Sequence, residues 1–422
     1  MIKPDSFLMK IDFRKVLINF VAVILLVKIC AIFIYQGKIT VWEDDVIARN
    51  MLETGEMFYM QRGTANYMFQ FPVYPSLLFF IYKMFGYNHL YAILLNMVVI
   101  CLSCFFLFEI FINVSKILKL KMGKIICEFN GFLSVLIFLM HPFISYYSMF
   151  NVHPFVFDMF FPIAIIFLSF RFLQSENWKN LGLLAFTTGL GVLNRSTSFV
   201  ALIPFIILAI GSMGFRRTIL SLVTVFFVVG LVISPWLIRG YNIYGKVSMA
   251  PMLNEVLWKG SLYNSDGSNY LLDGRVYKSE LSHEENNFLQ GKPITIQNDF
   301  FKDKYVQLIR EDPQHILKMY LVKVKNFWLY HQNIGIEYGK KVQSLLTIYK
   351  SYVFFLLLLN LCALYQFNYK PLVLLSYPIC LSLIQSLFYI ETRHRMIAEP
   401  IIIFIGILAV VNFISKSVSV HK

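Results

Sequence analysis

The chain has 422 residues, of which 58% are hydrophobic and only 15% charged, and its mean hydropathy is +0.63. Those values exclude an ordinary soluble domain and describe a chain that crosses a membrane many times. In a chain this apolar, the formal net charge of +14 reports lysines facing an anionic leaflet, and no nucleic-acid partner is expected.

Lys3, Lys10, Arg14 and Lys15 precede the first apolar segment, Val16 to about Tyr35. No small-x-small cleavage site ends it, and Lys28-Ile29 before Cys30 spoils a lipoprotein signal, so it reads as an anchor that stays. Directly after it comes Val41-Trp42-Glu43-Asp44-Asp45-Val46-Ile47-Ala48-Arg49-Asn50-Met51-Leu52. Three adjacent carboxylates stand where a membrane helix meets water. The pattern that follows is a short amphipathic helix, with Ile47 and Met51 on one face, Asp45 and Arg49 an i,i+4 pair, and Gly55 as the stop. Asp44 or Asp45 as a helix cap is the plain reading. Capping needs one acid, which leaves two unexplained.

Ser76 to Phe85 is apolar but too short to cross and reads as an interfacial or re-entrant helix. Further spans are expected at about Leu90–Phe111, Ile125–Tyr146, Pro154–Phe172, Leu181–Leu193, Ser198–Ile210 and Ile219–Ile238. A polar region follows from Arg239 to roughly Val342, whose end, Pro313 to Tyr330, reads as a surface helix. Three more spans are expected at about Leu345–Tyr365, Leu372–Ile390 and Met396–Ile414. The fold class is thus an all-α polytopic membrane protein with about ten spans. It divides into a membrane part at 1–238 carrying a first outer loop at 37–88, a large outer region at 239–342, and C-terminal spans at 343–422. Cys30, Cys101, Cys104, Cys127, Cys362 and Cys380 all fall in apolar segments, so no disulfide framework or zinc site is expected.

Lys116, Lys119, Lys121, Lys124, Arg171, Lys179, Arg216, Arg217, Lys370 and Lys416 all fall on the side of the N-terminus. Both termini are therefore expected in the cytoplasm, with the acidic stretch and the large region outside. Arg195, Arg393 and Arg395 break this pattern. They sit at the outer face near the hydrocarbon edge, where an arginine is costly unless paired or used. One reading is snorkelling or a structural pair with Glu399. The other is a clamp for a lipid phosphate, to which guanidinium offers a fixed fork of donors. His141, His153 and Asp158 lie near the outer ends of the third and fourth spans.

At these residues the chain resembles the polytopic glycosyltransferases of the C-type fold, closest to the bacterial group related to protein O-mannosyltransferases and lipid A aminoarabinose transferases. That group often carries Trp-Glu-Tyr-Gly-x-Ile-Ala-Arg-Asn-Leu after the first span. Trp42, Glu43, Ile47, Ala48, Arg49 and Asn50 stand at matching places, with Asp44 and Asp45 replacing Tyr-Gly. Phe71-Pro72-Val73-Tyr74-Pro75-Ser76-Leu77-Leu78, Leu193-Asn194-Arg195, Pro235-Trp236-Leu237-Ile238-Arg239-Gly240-Tyr241, Leu257-Trp258-Lys259-Gly260, and Arg393-His394-Arg395 with Glu399-Pro400 match further motifs in order. His153 stands where the family often has an acid.

The resemblance implies a transferase in the plasma (inner) membrane. It would move a sugar from a polyprenyl-phosphate donor to a glycan, lipid or protein acceptor at the outer face, by inverting single displacement. The catalytic acid would be one of Glu43, Asp44 and Asp45, with motif position favouring Glu43. Arg393, Arg395, Arg195 and Arg239 would bind the donor phosphate. Arg49, Tyr74, His153, Asp158 and Trp258 would bind substrate. No cofactor is expected; carboxylates such as Asp44 and Asp45 suit Mg²⁺ or Mn²⁺, but the family implies none. The competing classes are a transporter or flippase of a lipid-linked glycan, which predicts mid-bilayer charges and pseudo-symmetry, and an O-antigen polymerase or ligase.

Overall fold

The computed structural model describes residues 12–35, 39–120, 122–329 and 340–420. The expectations for Lys3, Lys10, Lys121 and residues 330–339 lie outside them. The long apolar runs form α1 (Phe13–Tyr35), α4 (His89–Ile117), α5 (Lys124–Met140), α6 (Pro142–Phe150), α7 (Phe155–Ser175), α8 (Trp178–Asn194), α9 (Ile203–Met213, entered through a 3₁₀ turn at Ser196–Leu202) and α10 (Phe215–Tyr244). After the polar region come α15 (Lys340–Gln366), α16 (Leu372–Gln385) and α18 (Glu399–Val420). Among the described residues six helices are long and apolar enough to cross a membrane, or seven when α5 and α6 count as one. The chain is an all-α, multi-pass membrane protein. The other expected spans are α8, of 17 residues, α16, of 14, and the apolar part of α18 at Glu399–Ile414.

Two spans differ from expectation. The third is broken at His141, where α5 and α6 meet at 57°. Pro142 cannot donate to the ladder, and it drives the residue before it into extended backbone. The His141 ring Nδ1 then accepts from Ile144 N at 3.3 Å and starts the new helix. The ninth ends at Gln385 rather than Ile390, because residues 386–391 form a non-helical connection.

One apolar core runs through the helices. Burial sorts them: 78% of the α7 window lies inside the protein, against 17% for α1 and 22% for α10. So α7 is central, while α1 and α10 turn most of their surface outward, as apolar side chains facing lipid do at no cost.

The polar connecting segments add short elements of their own. β1 (Thr40–Val41) pairs in parallel with β4 (Asn151–Val152), tying the segment after α1 to the one after α6. α2 (Glu43–Thr54) ends at Gly55, whose φ of 78° suits a left-handed cap. β2 (Tyr59–Gln61) and β3 (Thr64–Asn66) form a hairpin. Its two turn residues, Arg62 and Gly63, both take positive φ, 47° and 75°, matching the twist of the strands. α3 (Val73–Phe85) is an apolar helix of 13 residues, shorter than a membrane crossing needs. The polar region holds the expected helix, α14 (Pro313–Leu329), and further helices that were not expected: α11 (Leu253–Lys259), α12 (His283–Leu289) and α13 (Ile294–Glu311). α11 to α13 and their loops enclose a second core around Trp258, Leu271, Leu289 and Phe301.

Buried polar contacts lock this region down. Arg62 of the hairpin forms an ion pair with Glu255 and donates to Gln297 at 3.0 Å. Tyr277 also donates to Glu255, at 2.9 Å. On the other side Ile390 N donates to Gly267 O and Lys323 Nζ to Phe388 O, both at 2.7 Å. A short α17 (Thr392–Met396) leads into α18.

Candidate active site

The site is built on the first turn of α2. The helix starts at Glu43 with Trp42 as its N-cap, and no side chain caps it. That corrects the expectation that Asp44 or Asp45 caps the helix and that Glu43 precedes it. All three carboxylates lie in the first turn, where the helix dipole favours negative charge. Successive helical residues point about 100° apart, so the three acids meet three different surroundings.

Asp45 is 2% exposed. It accepts from the Tyr82 and Tyr87 hydroxyls at 2.7 Å each, and His89 Nε2 stands 3.4 Å away. Burial pushes its carboxyl up, but the bonds from His89, Tyr82 and Tyr87 outweigh that and hold it below the usual carboxylate range. Its expected partner Arg49 instead faces Glu53 at 3.8 Å on the exposed side of the helix. The i,i+4 pair is lost because Asp45 points into the protein and Arg49 out of it.

Asp44 is also 2% exposed, and its Oδ2 has no hydrogen-bond partner among the described residues. Burial pushes its carboxyl well above the ordinary range, and the Glu43 and Asp158 carboxylates nearby push the same way. Glu43 is half-buried beside Tyr59, and no hydrogen bond or ion pair among the described residues engages it. Tyr74 is buried against Phe157, with ring centroids 5.3 Å apart, and lies close to Asp44.

Two arginines, each paired with a carboxylate, lie beside these acids. Asp158, in the first turn of α7, accepts from Asn194 Nδ2 at 2.8 Å and from Arg195 Nη1 at 3.2 Å. Arg195 also reaches Gln385 and Thr197, each at 3.2 Å, so α7, α8 and α16 converge on one guanidinium. Arg393 forms an ion pair with Glu391, and its guanidinium lies 5.6 Å over the Trp42 ring. Trp42 in turn donates to Asn151 Oδ1 at 3.3 Å and meets the His153 ring edge-on at 5.2 Å. The enclosed position of His153 and the charges of Arg393 and Arg195 drive its basicity well down, so the ring is neutral. Its Nδ1 accepts from Phe155 N at 3.0 Å.

Glu43, Asp44, Tyr74, His153, Asp158, Arg195 and Arg393 therefore meet at one end of the helices. The other residues singled out by the sequence do not join them. Arg395 is 2% exposed and sealed in a buried network with Tyr349 and with Glu399, 2.6 Å away; Glu399 also touches His141 Nε2 at 2.7 Å. Of the two readings of Arg395, the structural pair is the one that forms. Arg239 donates to Met57 O at 3.1 Å, behind the segment that leads to Tyr59. Arg49 is on the exposed face. Trp258 packs on Phe301, ring centroids 5.1 Å apart, in the second core. Its place in a chain-order motif did not fix its place in space.

Several contributors were not anticipated: the Tyr82, Tyr87 and His89 cage, Asn194, Gln385, Glu391, and Asn269, which donates to Glu391 from the polar region between α10 and α15. The opposite charges of Asp158 and Arg195 were the one available signal, since both stood at the same expected membrane edge. Among the described residues no group of three or more His, Cys, Asp or Glu side chains is placed to hold a metal ion.

Residues 70–238 match the family described as dolichyl-phosphate-mannose-protein mannosyltransferase. No curated protein and no solved structure matches the chain. The matched stretch contains Tyr74, His153, Asp158 and Arg195 and ends one residue before Arg239; Glu43 to Asp45 and Arg393 lie outside it.

Proposed function

We propose that this multi-pass membrane glycosyltransferase moves a sugar from a polyprenyl-phosphate donor to a hydroxyl of a lipid, glycan or protein acceptor at the outer face of the plasma membrane. The family match supports a membrane glycosyltransferase. The observation that carries the finer reading is the placement of Asp44, buried with a free carboxyl oxygen, opposite Arg195 and Arg393 at one end of the helices.

Asp44, rather than the motif position Glu43, is the general base in this reading. A raised carboxyl is a stronger base, and a bond-free oxygen is available to take a proton. Asp45 is committed to its tyrosines. The acceptor oxygen attacks the sugar's anomeric carbon from the side opposite the phosphate. As the new C–O bond forms, the bond from that carbon to the phosphate oxygen breaks, and its electron pair leaves with the lipid phosphate. The acceptor proton passes to Asp44. Negative charge grows on the leaving phosphate, where Arg393 and Arg195 stabilise it. Glu43 orients the acceptor. Single displacement inverts the sugar carbon and needs no metal. Arg395 and Arg239 position the site from behind. Neutral His153 and the Asp158–Arg195 pair hold the floor.

The test incubates purified protein with radiolabelled polyprenyl-phosphate sugars and an acceptor extract. Transfer that inverts the anomeric centre supports the reading. Transbilayer movement of the intact donor without transfer would replace it with the flippase reading.

A further inference from the structure

Away from these residues, a groove of about 1300 Å³ lies between the outer region, α14 and the start of α15. Its lining is mixed: Asp266, Asp312 and His315 are polar or charged, and α15 contributes Lys350, Val353 and Phe354. The acids are engaged locally: Asp312 Oδ1 accepts from His315 N at 2.9 Å, and Asp266 Oδ1 from Ser268 N at 3.0 Å. Lys318 and Lys325 line the same groove. They are seven residues apart, hence on one helical face. Both are exposed and neither has a carboxylate partner among the described residues. The orientation of α14 is fixed by Lys323, which donates to Phe388 O at 2.7 Å away from the groove, and by Asn326, which donates to Asp266 O at 2.7 Å in the groove wall. On the flank beside the lysines, Leu317 and Leu321 are 61% and 59% exposed.

A helix with a leucine stripe, a neighbouring lysine stripe and an inner face bound to the protein is shaped to lie in the membrane interface. The groove beside it is lined both by these unpaired cations and by apolar side chains of α15. Water alone leaves the leucines and Phe354 exposed, and an acidic peptide would match the lysines but not the apolar side chains. We propose that this groove binds an anionic bilayer phospholipid. Its headgroup phosphate sits between Lys318 and Lys325 and an acyl chain lies along Val353 and Phe354. The site is separate from the acid and arginine cluster, and its occupancy does not depend on glycosyl transfer.

Native mass spectrometry of the full-length protein in detergent tests this directly. The probes are phosphatidylglycerol and phosphatidylcholine with matched chains, plus a polyprenyl phosphate. Phosphatidylglycerol should be retained in preference to phosphatidylcholine. Each lysine near an anionic headgroup is worth about a fivefold change in affinity, so Lys318→Gln with Lys325→Gln should weaken phosphatidylglycerol binding about thirtyfold. The Lys318→Arg, Lys325→Arg pair should restore it. Lys278→Gln with Lys302→Gln, which removes the same charge elsewhere on the outer region, should leave it unchanged. Equal retention of the two phospholipids, an unaffected Lys318/Lys325 double variant, or an equal loss in the Lys278/Lys302 control would each overturn the proposal. So would loss of polyprenyl phosphate alone from the Lys318/Lys325 variant, which would give the groove to the donor.

Discussion

Asp44→Asn separates chemistry from folding at the residue on which the mechanism turns. The side chain is 2% exposed and its Oδ2 makes no hydrogen bond. Asparagine has nearly the same shape and no charge. The fold therefore loses no bond at that atom and sheds the cost of holding a charge in a buried place beside Glu43 and Asp158. Melting temperature should stay at or above that of the wild type. Turnover should fall by about 10² to 10⁴, the usual contribution of a general base, or about 2.7–5.4 kcal/mol of barrier. Transfer from a labelled donor, measured on folded protein across pH, gives a second readout. A base acts only when deprotonated, so kcat/KM should fall as pH drops through the Asp44 pKa. Burial and the two neighbouring carboxylates raise that pKa, so the fall should come above the ordinary carboxylate range. Glu43→Gln removes one of the raising charges and should move the acidic limb to lower pH while most turnover survives. Turnover of Asp44→Asn within about threefold of wild type, against the ~10² minimum expected for a base, would refute the assignment. An acidic limb that moves upward in Glu43→Gln would refute the electrostatics behind it.

The remaining expectations separate the surrounding roles. Arg393→Ala should weaken donor binding and slow turnover, and Arg393→Lys should rescue only in part, because an ammonium cannot reproduce the fork and stacks less well on Trp42; donor titration measures both. Asp45→Asn should cost about 1–3 kcal/mol of stability, since two tyrosine hydroxyls lose a charged acceptor, with turnover kept, as a thermal melt beside the transfer assay would show. Chelation with EDTA should leave turnover unchanged, and a loss restored by Mg²⁺ or Mn²⁺ would place an ion among the acids. Cysteines introduced at exposed Glu56 and Ser279 should react with an impermeant maleimide in intact cells, and reaction only after permeabilisation would put the site on the wrong face.

The membrane architecture was largely legible, because an apolar run of span length has few alternatives in a chain of this composition. The break at His141 was written in Pro142, but a hydropathy pattern reads length and not direction. The helices α11 to α13 of the polar region were missed for a different reason. Each is short or mostly polar, so periodicity is weak, although Ser282 and Glu285 spell a capping box that the structure forms. Within the site, sequence located the charged residues because charge at a hydrocarbon edge is expensive and stands out. It did not locate their partners. Whether Asp45 meets Arg49 or Tyr82, and whether Arg395 faces a phosphate or Glu399, depends on helix rotation and on elements distant in sequence.

The acidic turn itself shows how neighbouring residues can be assigned opposite work. Leaving Asp44 Oδ2 buried without a partner costs about 1–3 kcal/mol, a penalty that selection for stability alone would remove. Asp45, one residue on, makes the bonds that offset it. Its contacts to Tyr82 at the end of α3 and to Tyr87 just beyond also fix the rotation of α2 about its own axis. With that rotation fixed, Asp44 must point about 100° away, toward the Asp158 and Arg195 pair, and Glu43 must stand at the half-exposed edge. Trp42 sets the other end of the turn through Asn151 and carries Arg393 on its face. One helical turn thereby spaces a satisfied carboxylate, an unsatisfied one, a half-exposed one and an arginine platform. The satisfied member is what keeps the unsatisfied one aimed, and polar groups left unpaired in this manner are expected where a protein trades stability for chemistry.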